Sequence, residues 1–274
     1  MSWNLEGGVA VITGAASGIG RALAENLARE KMSLALADVD AEGLETTGRL
    51  AGVAGMAVTT HQVDVGNAQA MSQFAAEVSE RHGRASLLIN NAGVALLGTF
   101  EELSLEEMEW VMRVNFWGAV NGVRSFLPML RREPRAHIMN VSSILGIIAP
   151  AGDSAYCASK FAVRGFTEVL QQELKGSSVG VSSVHPGRVR TPFSKRARVS
   201  AGAVPRLGSD VSAGATERRT ILSAEGAAKR IIAGLKKGEQ RILVGFDAIW
   251  ADRLQRAFPA SYQKVLWSLS KLRP

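Results

Sequence analysis

Val9-Ala10-Val11-Ile12-Thr13-Gly14-Ala15-Ala16-Ser17-Gly18-Ile19-Gly20 decides the fold. Five apolar or β-branched residues with no polar alternation predict a strand buried on both faces, as in a parallel sheet. The glycines that follow let the backbone turn tightly, and Leu23, Leu27 and Ala28 then repeat at helical spacing. A strand, a bare turn and a helix N-terminus together make a cradle for a pyrophosphate, because backbone N–H groups and the helix dipole favour an anion there. The spacing Gly14-x-x-x-Gly18-x-Gly20 differs from the Gly-x-Gly-x-x-Gly form, but the position between strand and helix is the same. Asp38 closes the next apolar run, Ser33 to Asp38, and lies 24 residues beyond Gly14. An acid at that place hydrogen-bonds an adenosine ribose and repels a 2′-phosphate. No Arg or Lys stands at Ser17 or just after Asp38, so NAD is expected in preference to NADP.

Outward from this unit the pattern repeats. Further strands are expected at Ala57 to Thr60, Ala85 to Asn90, about Ala136 to Val141, Val179 to Val184 and Arg241 to Val244. Helices are expected at Ala41 to Leu50, Asn67 to His82, from Ser104, and from Tyr156 to about Lys175. Ser104 with Glu107 is a capping box ahead of Met108, Val111, Met112 and Phe116, and Ser223 caps a helix bearing Ile231, Ile232 and Leu235. Alternating strands and helices imply an α/β fold, a single doubly wound parallel sheet of about seven strands with helices on both faces. One domain is expected over 1–246, with 193–219 as a substrate loop or lid and 247–274 as an added C-terminal helical tail. Asp64 and Val65, after the third strand, are placed to offer a carboxylate and a backbone amide to an adenine.

The 274 residues include 46% hydrophobic side chains, enough for a sizeable core, and a single cysteine, Cys157, which fits a reducing compartment. The N-terminus lacks the basic and apolar regions of a signal peptide, so a cytoplasmic location is expected. From Arg188 onward 18 Lys/Arg face 6 Asp/Glu, a net of +12, against −5 for the residues before it. That excess is read as a solvated surface, since no nucleic-acid-binding module is recognisable. The four histidines, His61, His82, His137 and His185, lack metal-ligand spacing, and no metal is expected.

The chemistry is concentrated between Ser143 and Lys160. Tyr156 and Lys160 are four apart, one turn along a helix on the same face. A cation beside a phenol favours the phenolate, lowering a pKa normally about 10 toward the working range. Such a tyrosine can exchange a proton with a carbonyl or alcohol oxygen, and Ser143, closing the strand at Val141, can hydrogen-bond the same oxygen. Cys157 points about 100° away from Tyr156 on the helix and is expected to pack in the core.

Thr13-Gly14-x-x-x-Gly18-x-Gly20, Asp64, Asn90-Asn91-Ala92-Gly93, Asn115, Ser143, Tyr156-x-x-x-Lys160 and Pro186-Gly187 together resemble the short-chain dehydrogenase/reductase family, in order and spacing, over about residues 7 to 192. The resemblance implies that Tyr156 is the general acid/base, that Lys160 holds the nicotinamide ribose and that Ser143 polarises the substrate oxygen. It implies that Asn115 holds a water in a proton relay. Asn91, Ala92 and Gly93 would line the adenosine side, and Val189 and Thr191, after Pro186-Gly187, would contact the carboxamide. A homodimer or homotetramer is also implied.

For the substrate, Val94, Leu96, Leu97, Leu145, Ile147, Ile148 and Phe193 suggest an apolar pocket for a ketone or secondary alcohol. Lys195-Arg196-Ala197-Arg198, with Arg188 and Arg190, suggests instead an anionic carrier, as for an NADPH-linked 3-oxoacyl-carrier reductase. A nucleotide-sensing binding protein without turnover is a third reading, against which the intact Asn115, Ser143, Tyr156 and Lys160 stand. The tail, with Trp250, Leu254, Phe258, Val265, Leu266 and Leu269 among basic residues, is expected to pack as a helix rather than lie on a membrane surface.

Overall fold

Side-chain alternation along the central strands explains the layering. In the computed structural model, which describes residues 3–204 and 222–265, strand β1 (Val9–Thr13) is buried at every position. Ala10 and Ile12 enter one apolar cluster and Val11 the other. Strand β4 (Leu87–Asn90) divides in the same way, with Leu87 and Ile89 on one face and Leu88 on the opposite one. A strand that must be apolar on both faces can only sit inside a three-layer arrangement.

The remaining strands are β2 (Ser33–Asp38), β3 (Val58–Gln62), β5 (Ala136–Val141), β6 (Val179–Pro186) and β7 (Arg241–Val244). All seven form one sheet in the order β7-β6-β5-β4-β1-β2-β3, with every pairing parallel. On one face lie α1 (Gly18–Arg29) and α7 (Ala224–Lys237), which bring Leu23, Leu27, Ile231 and Leu235 to the sheet. The other carries α3 (Ala68–His82), α5 (Gly118–Leu130) and α6 (Ser154–Glu173), with Phe74, Val78, Phe126 and Leu170. Helix α2 (Ala41–Gly52) links β2 to β3, and α4 (Leu105–Met112) begins at the reciprocal Ser104–Glu107 capping box. The strand order reverses between β1 and β4, which opens a crevice at the carboxyl ends of those strands.

Several boundaries differ from the sequence expectation, among them the end of β6, at Pro186 rather than Val184. Strand β3 runs from Val58 to Gln62 rather than Ala57 to Thr60, because this edge strand is half solvated and lacks an apolar run to mark its end. Strand β4 begins at Leu87, two residues late. Helix α2 continues past Leu50 to Gly52.

The tail begins with α8 (Phe246–Ala257), which packs on the turn after Ser143. Ile147, Ile148, Ala251 and Tyr262 form one small cluster there, and the Tyr262 hydroxyl accepts the Ala149 N–H at 3.2 Å. Ile147 and Ile148, expected in a pocket, are therefore core residues under the tail. Leu254 packs on the same cluster, whereas Trp250 and Phe258 are exposed. Leu266 and Leu269 lie outside the described residues, as does 205–219 of the expected lid. Among the described residues no helix is long and apolar enough to cross a membrane.

Candidate active site

The glycine turn is locked against the end of β4. Gly14 has φ +67°, and a Cβ there would lie 2.7 Å from Cα of Ala92, so only glycine fits. Thr13 Oγ1 accepts the N–H groups of Asn91 and Ala92 at 3.1 and 3.2 Å. In return Asn91 Nδ2 donates to the carbonyls of Thr13 and Gly14, both at 3.0 Å. Ser17 is the extended N-cap of α1 and its side chain makes no capping bond. The N–H groups of that first turn, at Gly18, Ile19 and Gly20, have no partners within the helix. Gly18, at φ +57°, faces Thr191, whose Cβ would stand 3.1 Å from a Cβ at Gly18.

Asp38 lies at the mouth of this turn. Its Oδ2 accepts the Ala16 N–H at 3.0 Å and its Oδ1 the Asp40 N–H at 3.1 Å, which leaves each oxygen a further lone pair. Two arginines unforeseen from spacing stand close by. Arg21, one turn into α1, donates to the carbonyls of Ala16 and Gly43. Arg196 pairs with Asp40 at 3.0 Å. The Asp64 carboxylate is bound by the Gly66 N–H at 2.8 Å and by Arg113 at 2.9 Å, while the Val65 carbonyl accepts from Asn121.

Asn115 sits in a π-helical turn, Arg113–Trp117, between α4 and α5. Such a turn widens the helix by one residue and re-aims a side chain. Asn115 Oδ1 accepts the Val94 N–H at 2.7 Å, and its Nδ2 donates to the Val94 carbonyl and to Ser159 Oγ. Both amide hydrogens are thus committed to protein, so the side chain braces the segment after β4. A Cβ on Gly93 would lie 3.1 Å from Asn115 Oδ1 and 3.3 Å from Lys160 Nζ, which shows how closely these three meet.

Tyr156, Lys160 and Ser143 converge as their spacing predicts. Lys160 is buried, donates from Nζ to the Val141 carbonyl at 3.0 Å and lies 5.7 Å from the Tyr156 ring centroid. The Ser143 hydroxyl lies close enough to Tyr156 to act on its phenol and accepts the Leu145 N–H at 3.1 Å. The expected lowering of the phenol's pKa is reversed in the protein by itself. Burial pushes the Tyr156 hydroxyl above its ordinary value, outweighing the opposing effect of Ser143, and the charge of Asp153 pushes the same way. Burial also lowers Lys160, to about 8. Desolvation dominates because both groups are withdrawn from water together.

His185 has a place in the site that sequence reasoning did not assign. It is fully buried, and its Nδ1–H donates to the Ser143 carbonyl at 3.1 Å while Ser183 Oγ donates to its Nε2 at 2.9 Å. Burial pushes it down to about 4, so it stays neutral and fixes Ser143 from behind. The signal available was its position one residue before Pro186-Gly187.

The turn after β6 is also held from the tail. Asp247, in the first turn of α8, accepts the Arg188 N–H at 2.7 Å, and its Oδ1 would lie 2.1 Å from a Cβ on Gly187. Val189-Arg190 pairs with Leu222-Ser223, and Leu96-Leu97 with Arg198-Val199. Phe193 is brought to Tyr156, ring centroids 5.9 Å apart. Leu145 packs on the Ile147–Tyr262 cluster instead, and Val94 and Leu96 pack with Val111 and Ala155. The basic stretch is largely committed internally. Arg188 pairs with Asp247, Arg196 with Asp40, and Arg198 stacks 4.1 Å over Trp110. Cys157 is free and buried.

Comparison with known proteins places this geometry. The family described as short chain dehydrogenase matches residues 8–201. A protein named SadH from Mycobacterium tuberculosis is 43% identical over 266 residues, spanning 96% of this chain and 95% of its own. The 1-deoxy-11-beta-hydroxypentalenate dehydrogenase of Streptomyces exfoliatus is 32% identical over 274 residues, 98% of this chain and 97% of the relative. A crystal structure of a short chain dehydrogenase/reductase from Burkholderia phymatum in complex with NAD is 34% identical, covers 93% of this chain and 95% of its own, and has a TM-score of 0.84.

Proposed function

The chain belongs to the short-chain dehydrogenase/reductase family, and on that footing we propose that it transfers a hydride between NAD and an apolar ketone or secondary alcohol. The observation that carries the reading is the meeting of two hydroxyls, Ser143 and Tyr156, with the buried ammonium of Lys160 5.7 Å from the phenol ring. A binding module has no need of that trio.

The crevice residues suit a dinucleotide. The first turn of α1 begins at a bare glycine loop, and Asp38 keeps free lone pairs for the adenosine ribose. Gly93 leaves room beside Lys160 and Asn115, and Thr191, which would contact the carboxamide, packs against Gly18 of the glycine turn. When bound, NAD supplies the hydride acceptor and a positive ring. Tyr156 gives or takes the proton at the substrate oxygen, and Ser143 donates to that oxygen. Because burial holds the phenol protonated, the charge of Lys160 beside it would bring the phenolate within reach once the site is loaded. Lys160, lowered to about 8, is poised to return the proton. His185 and Asn115 act by positioning Ser143 and the Gly93–Val94 segment.

Asp38 favours NAD through repulsion of a 2′-phosphate, and the internal partners of Arg188, Arg196 and Arg198 favour a free small substrate over a carrier-bound one. Exposed Trp117, at the end of the π-helical turn, and exposed Phe161 and Val169 on α6 support a homodimer or homotetramer. The test is titration of the purified protein with NADH and with NADPH, followed through nicotinamide fluorescence, and then oxidation of cyclohexanol with the preferred cofactor. NADH binding at least tenfold tighter, about 1.4 kcal/mol, is expected. Preference for NADPH would remove the role given to Asp38, and binding of neither would overturn the reading.

A further inference from the structure

We infer that Asp153 contacts the substrate and selects ketones and alcohols that carry a second hydroxyl one or two carbons from the reacting carbon. The inference rests on the hydride-transfer reading above and names the substrate class of that same site.

Asp153 is the N-cap of α6, three residues before Tyr156, so the two side chains share a helix face. An aspartate at an N-cap ordinarily accepts an N–H of the first turn, worth about 1 kcal/mol. Asp153 does not: its side chain makes no capping bond, and among the described residues it has no hydrogen-bond or ion-pair partner. Its main chain is pinned all the same. Gly98 pairs with Asp153 as an isolated bridge, and the Gly98 N–H donates to the Gly152 carbonyl at 3.1 Å. That holds the residue where the Leu96–Gly98 segment, paired with Arg198-Val199, meets the start of α6.

The carboxyl is half-buried, its charge is felt at the Tyr156 hydroxyl, and burial alone pushes it up to about 6. A partly desolvated carboxylate with nothing to bind is costly, and such groups are normally satisfied. Among the described residues none donates to it, which leaves the carboxylate open to a donor from the ligand. A neutral hydroxyl fits best: it donates to the carboxylate and adds no charge beside the phenol. Side chains one turn apart stand about 5–6 Å from each other at Cβ. A substrate bridging Tyr156 and Asp153 therefore has its two oxygens on neighbouring carbons or on carbons separated by one. A carboxylate on the substrate at that position is repelled.

The experiment compares NADH-dependent reduction of cyclohexanone, 2-hydroxycyclohexanone and 3-hydroxycyclohexanone by the wild type, Asp153→Asn and Asp153→Ala, with NADH titration of each variant as the check of folding. In the wild type, kcat/KM for the better hydroxyketone exceeds that for cyclohexanone by about tenfold or more, mostly through KM. Asp153→Ala collapses that ratio toward one. Asp153→Asn, which keeps a carbonyl acceptor, retains part of it. Turnover of cyclohexanone with no gain from either second hydroxyl, or a gain that Asp153→Ala leaves intact, overturns this inference alone. Turnover of none of the three ketones by the wild type overturns the hydride-transfer reading with it.

Discussion

Replacing Asn91 with alanine removes the tie that shapes the glycine turn. The two bonds lost run from Nδ2 to the carbonyls of Thr13 and Gly14, both 3.0 Å. Each contributes about 1 kcal/mol net, and a carbonyl left stranded costs about 1–3 kcal/mol, so the expected loss is about 2–3 kcal/mol. In a chain of this size that lowers Tm by about 4–12 °C. Urea unfolding with and without NADH separates stability from function. At a concentration of 100 times Kd a ligand stabilises by about 2.7 kcal/mol. If the turn loses its shape and NADH binds tenfold more weakly, that increment falls by about 1.4 kcal/mol. Asn91→Ala with stability within about 0.5 kcal/mol of wild type and an unchanged NADH increment would refute the reasoning, since the turn would then be held by Gly14's own geometry.

Asp38→Ala should weaken NADH binding while relieving the repulsion of a 2′-phosphate, so the ratio of NADH to NADPH affinities falls by about tenfold; nicotinamide fluorescence titration reads it, and a constant ratio contradicts it. His185→Ala withdraws the donor behind Ser143, and kcat is expected to drop by about tenfold with KM for NAD little changed in steady-state kinetics. His137 and His185 are both held by burial near 4 in the folded chain, against 6.5 when exposed. Folded values below unfolded ones mean that the unfolded chain takes up protons first. Stability is therefore full above pH 6.5 and is lost as pH falls toward 4, which urea titrations across that window will show as a falling midpoint.

Much of this architecture was readable in the chain because it is local. Val9 to Thr13 is apolar throughout, and only a sheet covered on both faces accommodates that. Gly14, Gly18 and Gly20 announce a turn by their spacing, and Tyr156 and Lys160 announce a shared face. What could not be read depends on distance in sequence or on burial. Arg196 meets Asp40 across 156 residues, and Asn115 meets Ser159 across 44, with no local mark on either partner. Ile147 and Ile148 look alike whether they line a pocket or lie beneath α8. Spacing placed a cation beside Tyr156 but said nothing of how dry the site is, and desolvation reversed the sign of the shift. The carboxyl of Asp153 carried no sequence signal either. Its neighbours in the chain are small, and what marks it is that no side-chain partner faces it among the described residues.

The most direct test of the account is Tyr156→Phe, assayed for NAD-dependent oxidation of a substrate the wild type turns over and for NADH binding. The substitution keeps the ring against Phe193 and removes only the hydroxyl proposed to exchange the proton. Turnover is expected to fall by about 10²–10⁴-fold, the usual contribution of a general acid/base, with NADH affinity retained within about threefold. Turnover within about tenfold of the wild type would contradict the account, because the proton would then pass through another group.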